Sequence, residues 1–174
     1  MNLALSLLYA AERTPDAEAL VGERERLTFA QLRERAAHVA AGLAATGVGR
    51  GDRVACVLRN EAETVELYWG AQWLGACLVP LSPRASQADL DYCIADSGAC
   101  LVLTDPGAMR ELVADHGHPG AFDLDEGVPS IQLYTSGTTG RPKGVPRSHR
   151  AERAAGLSQV VHHGLGYGHR TLGV

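Results

Sequence analysis

The residues with the most chemistry at close spacing are Tyr134-Thr135-Ser136-Gly137-Thr138-Thr139-Gly140-Arg141-Pro142-Lys143-Gly144. The apolar stretch 130–134 before them predicts a strand that runs straight into a glycine-rich turn. Gly137, Gly140 and Gly144 allow positive φ and a close approach of backbone to ligand. Successive backbone N–H groups in such a turn form a concavity that favours anions. Thr135, Ser136, Thr138 and Thr139 add four hydroxyls around the same space, Lys143 adds a full positive charge, and Pro142 stiffens its approach. An oligophosphate is the guest that this donor set fits. Lys and Arg total 16, and Lys143 is the sole lysine among them. A compact ammonium acts as a point charge where a guanidinium would be a wide fork, so the choice of lysine here carries information. The order of residues is not a Walker A loop, because Lys143 follows Pro142 and precedes Gly144. The plain alternative is a solvated surface turn, since Ser, Thr, Gly and Pro are also ordinary loop residues. The density of donors, the lone lysine and the position at a strand end favour phosphate.

Other reactive side chains make weaker patterns. Cys56, Cys77, Cys93 and Cys100 are irregularly spaced, without a C-x-x-C pair, and read as small buried hydrophobes in a reducing cytoplasm. His116-Gly117-His118 and His162-His163 lack acidic or cysteine partners at ligand spacing, so no metal site is expected. His149 reads as a packed or capping histidine rather than a catalytic one. Arg141 and Arg147 read as solvated. The 174 residues carry a net charge of −4, which argues against a broad nucleic-acid surface. No apolar run reaches the ~20 residues of a membrane helix, and Met1-Asn2-Leu3 does not open a secretory signal. A cytoplasmic protein without a transmembrane segment is expected.

The elements that must position the motif alternate along the chain. A helix over 2–13 is followed by a hairpin over 18–29 that turns at Gly22–Glu25. Thr28 and Gln31 form a capping box for a helix whose apolar face carries Phe29, Leu32, Ala36, Val39, Ala40 and Leu43. Strands follow at 54–58, 76–80 and 100–104, with helices at 61–74, from Ser86 to about Asp96, and over 106–115. Ser86 and Asp89 read as a second capping box. A loop over 117–129 precedes the strand at 130–134. After the motif come an extended piece, 144–148, and a helix over about 150–162. This alternation predicts an α/β fold with a mainly parallel sheet flanked by helices. Residues 170–174 read as the start of a further strand, so a truncated chain is expected.

The segment YTSGTTGRPKG resembles the phosphate-binding signature of the adenylate-forming (AMP-dependent) synthetase superfamily, which includes acyl-CoA synthetases, aryl-acid ligases, peptide-synthetase adenylation domains and luciferases. The resemblance extends over 27–60, 74–105 and 144–150. Gln132 stands where an aliphatic residue is common, a departure expected to be of no consequence. The resemblance implies that residues 1–174 are an incomplete N-terminal AMP-binding domain: the first α/β subdomain plus the phosphate loop, 134–144, without the C-terminal domain.

It implies further an ATP-dependent, AMP-forming acid–thiol ligase. A carboxylic acid is first adenylated by ATP carrying Mg2+, and the acyl group then passes to CoA or to a pantetheine thiol, with a carrier protein as one possible bearer of that thiol. Fatty or aryl acid metabolism is the implied setting. Thr135, Ser136, Gly137, Thr138, Thr139, Gly140 and Lys143 are the implied phosphate-binding residues. No residue of this chain is assigned a catalytic or metal-binding role, because the family's remaining motifs lie downstream. The isolated chain is therefore expected to be inactive. A truncated, non-catalytic nucleotide-binding or interaction module of the same family is the alternative.

Overall fold

A computed structural model of the chain describes residues 1–112, 124–136, 141–166 and 168–171. Helix α1 (Ala4–Arg13) starts where the Asn2 side chain accepts from the Ala4 N–H at 2.9 Å. Strands β1 (Glu18–Val21) and β2 (Arg26–Thr28) form the expected antiparallel hairpin, closed by Gly22 N–H donating to the Glu25 carbonyl at 2.9 Å. Helix α2 (Phe29–Ala45) opens on the full capping box. The Gln31 N–H donates to Thr28 Oγ1 at 3.3 Å, and the Thr28 N–H to Gln31 Oε1 at 2.9 Å. Two orphan donors of the first turn are thereby satisfied reciprocally.

Three strand–helix units follow: β3 (Arg53–Cys56) and α3 (Ala62–Leu74), β4 (Cys77–Pro80) and α4 (Gln87–Ser97), β5 (Leu101–Leu103) and α5 (Pro106–Leu112). The Ser86–Asp89 pair at the head of α4 is half of the expected box. Ser86 Oγ accepts from the Asp89 N–H, but the Asp89 carboxylate takes the Ser86 hydroxyl instead of its backbone N–H, because an aspartate is one methylene too short to reach back. The chain closes with β6 (Pro129–Thr135), β7 (Lys143–Ser148) and α6 (His149–His163).

The main sheet runs in the order β5-β3-β4-β6-β7. The first three pairings are parallel, as expected for strands joined by helical crossovers. The last, β6 with β7, is antiparallel. Strand alternation divides the buried residues between two layers. Val54, Cys56, Leu78 and Leu103 pack with α2, α3 and α5. Ala55, Val57, Val79 and Leu81 pack with Cys93 of α4 on the other face. Coverage on both faces explains why the central strands read as unbroken apolar runs. The expected strand at 170–174 is absent from His169–Thr171, and 172–174 lie outside the described residues.

Two packing details are specific enough to test. At Gly42, on α2, an added Cβ would stand 1.8 Å from the Leu112 carbonyl oxygen of α5. A mid-helix alanine gains ~1 kcal/mol in propensity, but a clash with backbone costs more. Gly42→Ala is expected to lower stability by about 2 kcal/mol net, read as a lower urea midpoint. A midpoint that is unchanged or raised would contradict the close α2–α5 contact.

His149, the first residue of α6, is fully buried. Its Nδ1 accepts the Leu3 N–H at 3.2 Å, and its Nε2 finds no partner among the described residues. Burial, helped by the N-terminal ammonium, pushes its pKa down from 6.5 to about 4. The folded chain therefore holds a neutral imidazole, while the unfolded chain binds a proton below about 6.5. This contribution to stability is complete above pH 6.5 and is lost as the pH falls towards 4. It amounts to about 3 kcal/mol at most. His149→Gln should flatten the fall in unfolding free energy between pH 7 and 4 relative to the parent chain. Parallel pH profiles would show that His149 titrates alike in both states.

Candidate functional site

Strand β6 delivers the chain to the glycine-rich motif and β7 takes it away. The extended piece expected at 144–148 is thus a strand that starts one residue earlier, at Lys143, and pairs back on β6. The register sets Thr135 opposite Lys143, Tyr134 opposite Gly144, and Leu133 opposite Val145. Residues directly opposite share a face of the ladder, with Cβ atoms about 5 Å apart. Thr135 and Lys143 therefore lie side by side on one face, and Tyr134 points to the other. Thr135, Ser136 and Lys143 are exposed. Lys143 makes no ion pair with any described residue. Gly137, Thr138, Thr139 and Gly140 lie outside the described residues. The stems thus set the Thr135 hydroxyl beside an exposed ammonium that no described residue pairs with, a combination able to attract and hydrogen-bond an anion from solvent.

The opposite face of the hairpin is tied to the body of the fold by a polar relay. Tyr134 Oη donates to Asp96 Oδ2 of α4 at 2.7 Å and stands 3.1 Å from the Cys93 carbonyl. It accepts from Gln132 Nε2 at 3.1 Å, while Gln132 Oε1 accepts from Arg53 Nε of β3 at 3.2 Å. Burial, reinforced by the neighbouring Asp96 carboxylate, holds the Tyr134 phenol well above its ordinary range. Gln132 is buried. The expectation that it is of no consequence is therefore corrected: an aliphatic side chain could satisfy neither Arg53 nor Tyr134. The available signal in the sequence was an amide at an inward position of the alternating strand SIQLY.

Gly144 is also reinterpreted. It has no positive φ and lies in β7. A Cβ there would meet Gln132 Nε2 at 2.5 Å and Tyr134 Cζ at 3.1 Å, so glycine lets the relay pack directly against the strand, and a larger residue would have to push the Gln132 amide aside. On the outgoing stem, the Arg141 guanidinium lies over the Tyr92 ring of α4, 5.5 Å from its centroid. Arg141 is exposed, as expected, yet it has a cation–π partner.

The remaining candidates fall elsewhere. His149 follows the far end of β7, about 17 Å along the strand from Lys143, and is packed against the start of α1 as described. Arg147 is not simply solvated: its side chain is ion-paired with Glu152, and its carbonyl accepts from Ser130 Oγ at 3.3 Å. All four cysteines are free thiols. Cys56, Cys77 and Cys93 are buried; burial pushes the first two up to about 11 and raises the third. Such thiols are inert. Cys100 departs from the expectation, being exposed immediately before β5. His116 and His118 lie outside the described residues, and His162 and His163 pack edge to face in the last turn of α6. Among the described residues, no helix is long and apolar enough to cross a membrane.

Comparison with known proteins agrees with this architecture. The family model described as AMP-binding enzyme matches residues 7–173. The chain is 34% identical over 170 residues to tyrocidine synthase 2 of Brevibacillus parabrevis, covering 90% of this chain and 5% of that one. It is 37% identical over 155 residues to feruloyl-CoA synthase of an Amycolatopsis species, covering 80% of this chain and 32% of the relative. Among solved structures, the fatty acyl CoA synthetase of Mycobacterium tuberculosis superposes with a TM-score of 0.84 at 26% identity, covering 92% of this chain and 37% of that one. The o-succinylbenzoate CoA synthetase of Bacillus subtilis, solved with ATP and magnesium ion, gives 0.83 at 28% identity, covering 92% and 47%. The chain spans about a third or less of the length of these curated relatives. From the match over nearly its whole length, this chain belongs to the AMP-binding enzyme family of adenylate-forming synthetases and CoA ligases.

Proposed function

We propose that residues 1–174 form the first α/β subdomain and phosphate loop (134–144) of the large N-terminal domain of an ATP-dependent, AMP-forming acid–thiol ligase. In the first step a carboxylate oxygen attacks the α-phosphorus of Mg-ATP, the bond to the β-phosphate breaks, and pyrophosphate leaves. In the second, the sulfur of CoA or a pantetheine thiol attacks the acyl carbon, AMP leaves, and the thiol proton passes to solvent. The relatives that support this reading include a feruloyl-CoA synthase, a long-chain-fatty-acid–CoA ligase and tyrocidine synthase 2. The free thiols fit a reducing cytoplasm.

In this reading Thr135, Ser136, Lys143 and the loop residues Gly137, Thr138, Thr139 and Gly140 hold the β- and γ-phosphates. One observation carries it: Lys143 and Thr135 share a rung at the mouth of the motif, exposed and without an ionic partner among the described residues. A point charge there neutralises a leaving group whose charge grows as the P–O bond breaks. Proline and the strand fix the lysine's stem, so little ordering is needed on binding.

Calorimetry with magnesium pyrophosphate tests the reading on the chain itself. Lys143→Ala should weaken binding by about tenfold or more, the usual effect of removing a charged hydrogen-bond donor, and Lys143→Arg should recover part of the loss. Unchanged affinity in Lys143→Ala would remove the lysine from the site. The isolated chain should also show no acid-dependent ATP–pyrophosphate exchange, because the loop alone neither orients a carboxylate nor closes over it. Robust exchange would show that a complete adenylation site lies within these 174 residues.

A further inference from the structure

Helix α4 holds both stems of the phosphate motif through a single turn of its surface. The incoming stem is held by Tyr134, which donates to Asp96 at 2.7 Å and sits 3.1 Å from the Cys93 carbonyl. The outgoing stem is held by Arg141, stacked on Tyr92. Tyr92 and Asp96 are one helical turn apart, and the Tyr92 hydroxyl stands 3.5 Å from Asp96 Oδ1. The relay continues inward through Gln132 to Arg53, so the stem is referenced to β3 as well as to α4. Gly144 completes it, because a Cβ there would push the Gln132 amide aside and crowd the Tyr134 ring.

These contacts occupy the face of the hairpin opposite Thr135 and Lys143. Thr135 and Lys143 themselves stay exposed, with their backbone held from behind. A glycine-rich loop gains affinity when its conformation is set before the ligand arrives, because the ordering cost is then not charged to binding. We propose that Asp96, acting through Tyr134, is a positioning residue for the phosphate loop: it presets the stem that presents Thr135 and Lys143 to the phosphates. This rests on the reading that the loop holds phosphate. It adds a requirement for a side-chain acceptor on a helix that contributes no residue to the motif.

The sign of one substitution separates positioning from simple electrostatics. Asp96 is an exposed carboxylate near a proposed anion site. By charge alone, removing it should tighten pyrophosphate binding. By positioning, Asp96→Ala should weaken it about fivefold, because the Tyr134 hydroxyl loses the shorter and charged of its two acceptors and keeps only the Cys93 carbonyl at 3.1 Å. Asp96→Asn keeps an acceptor oxygen while removing the charge, and should bind within about twofold of the parent. Tyr134→Phe, which keeps the ring, should lose about as much as Asp96→Ala.

The measurement is calorimetric titration of the 174-residue chain and these variants with magnesium pyrophosphate, with thermal midpoints recorded alongside. Weakened binding in Asp96→Ala at an unchanged midpoint, restored by Asp96→Asn, is the expected result. Affinity in Asp96→Ala equal to or above the parent's would overturn the proposal, as would equal losses in Asp96→Ala and Asp96→Asn. Lys143→Ala serves as the control. If it binds as well as the parent, the phosphate reading itself fails and the positioning role falls with it. If it loses binding and Asp96→Ala does not, only the positioning role fails.

Discussion

The antiparallel pairing of β6 with β7 fixes the relation between the two stems of the glycine-rich motif, and every feature of the candidate site depends on it. In a two-stranded ladder, a one-residue slip moves each side chain to the opposite face. A slip of β7 here would turn Lys143 towards α4 while Thr135 kept its face, so the register decides whether ammonium and hydroxyl meet at all. The register is held by more than ladder hydrogen bonds. Tyr134 engages α4, Gln132 engages β3 through Arg53, and Gly144 admits both side chains beneath the ladder. These contacts are specific to one alignment and would be lost together in any other.

The rest of the fold can be understood as the support for that hairpin. Parallel strands β3 and β4 are buried on both faces, and β6 inherits its position by pairing with β4 at Leu78 and Ile131. Helix α4 covers one face and places Tyr92, Cys93 and Asp96 along the same turn. Helices α2, α3 and α5 cover the other, with contacts as close as Gly42 against the α5 backbone. At the distal end of β7, His149 packs against the start of α1, and Arg147 is paired with Glu152 of α6. The outgoing strand is thereby anchored at the end remote from the loop.

Much of this was legible in the sequence because the signals are local. The Thr28–Gln31 box, the alternation of apolar runs with amphipathic helices, and the glycine-rich motif each depend on residues within a few positions. What escaped was set by distant partners. The direction of β7 depends on whether the chain crosses over or doubles back, and a short extended segment reads the same either way. Gln132 is an isolated amide until Arg53, 79 residues earlier, is brought across the sheet to meet it. Gly144 reads as a conformational glycine, whereas its actual constraint is the Tyr134 ring opposite it. Arg147 and Cys100 show the same limit, because ion pairing and exposure are decided by how neighbouring elements pack.

The central claim is that the face bearing Thr135 and Lys143 binds the pyrophosphate part of ATP. The most direct test follows the backbone amide resonances of the isotopically labelled chain during titration with magnesium pyrophosphate. The account predicts saturable shifts largest at Thr135, Ser136 and Lys143, smaller ones at Tyr92 and Asp96, and none around Glu18 and Arg170. Shifts that are largest away from the β6–β7 stems, or no saturable shifts at all, would contradict it.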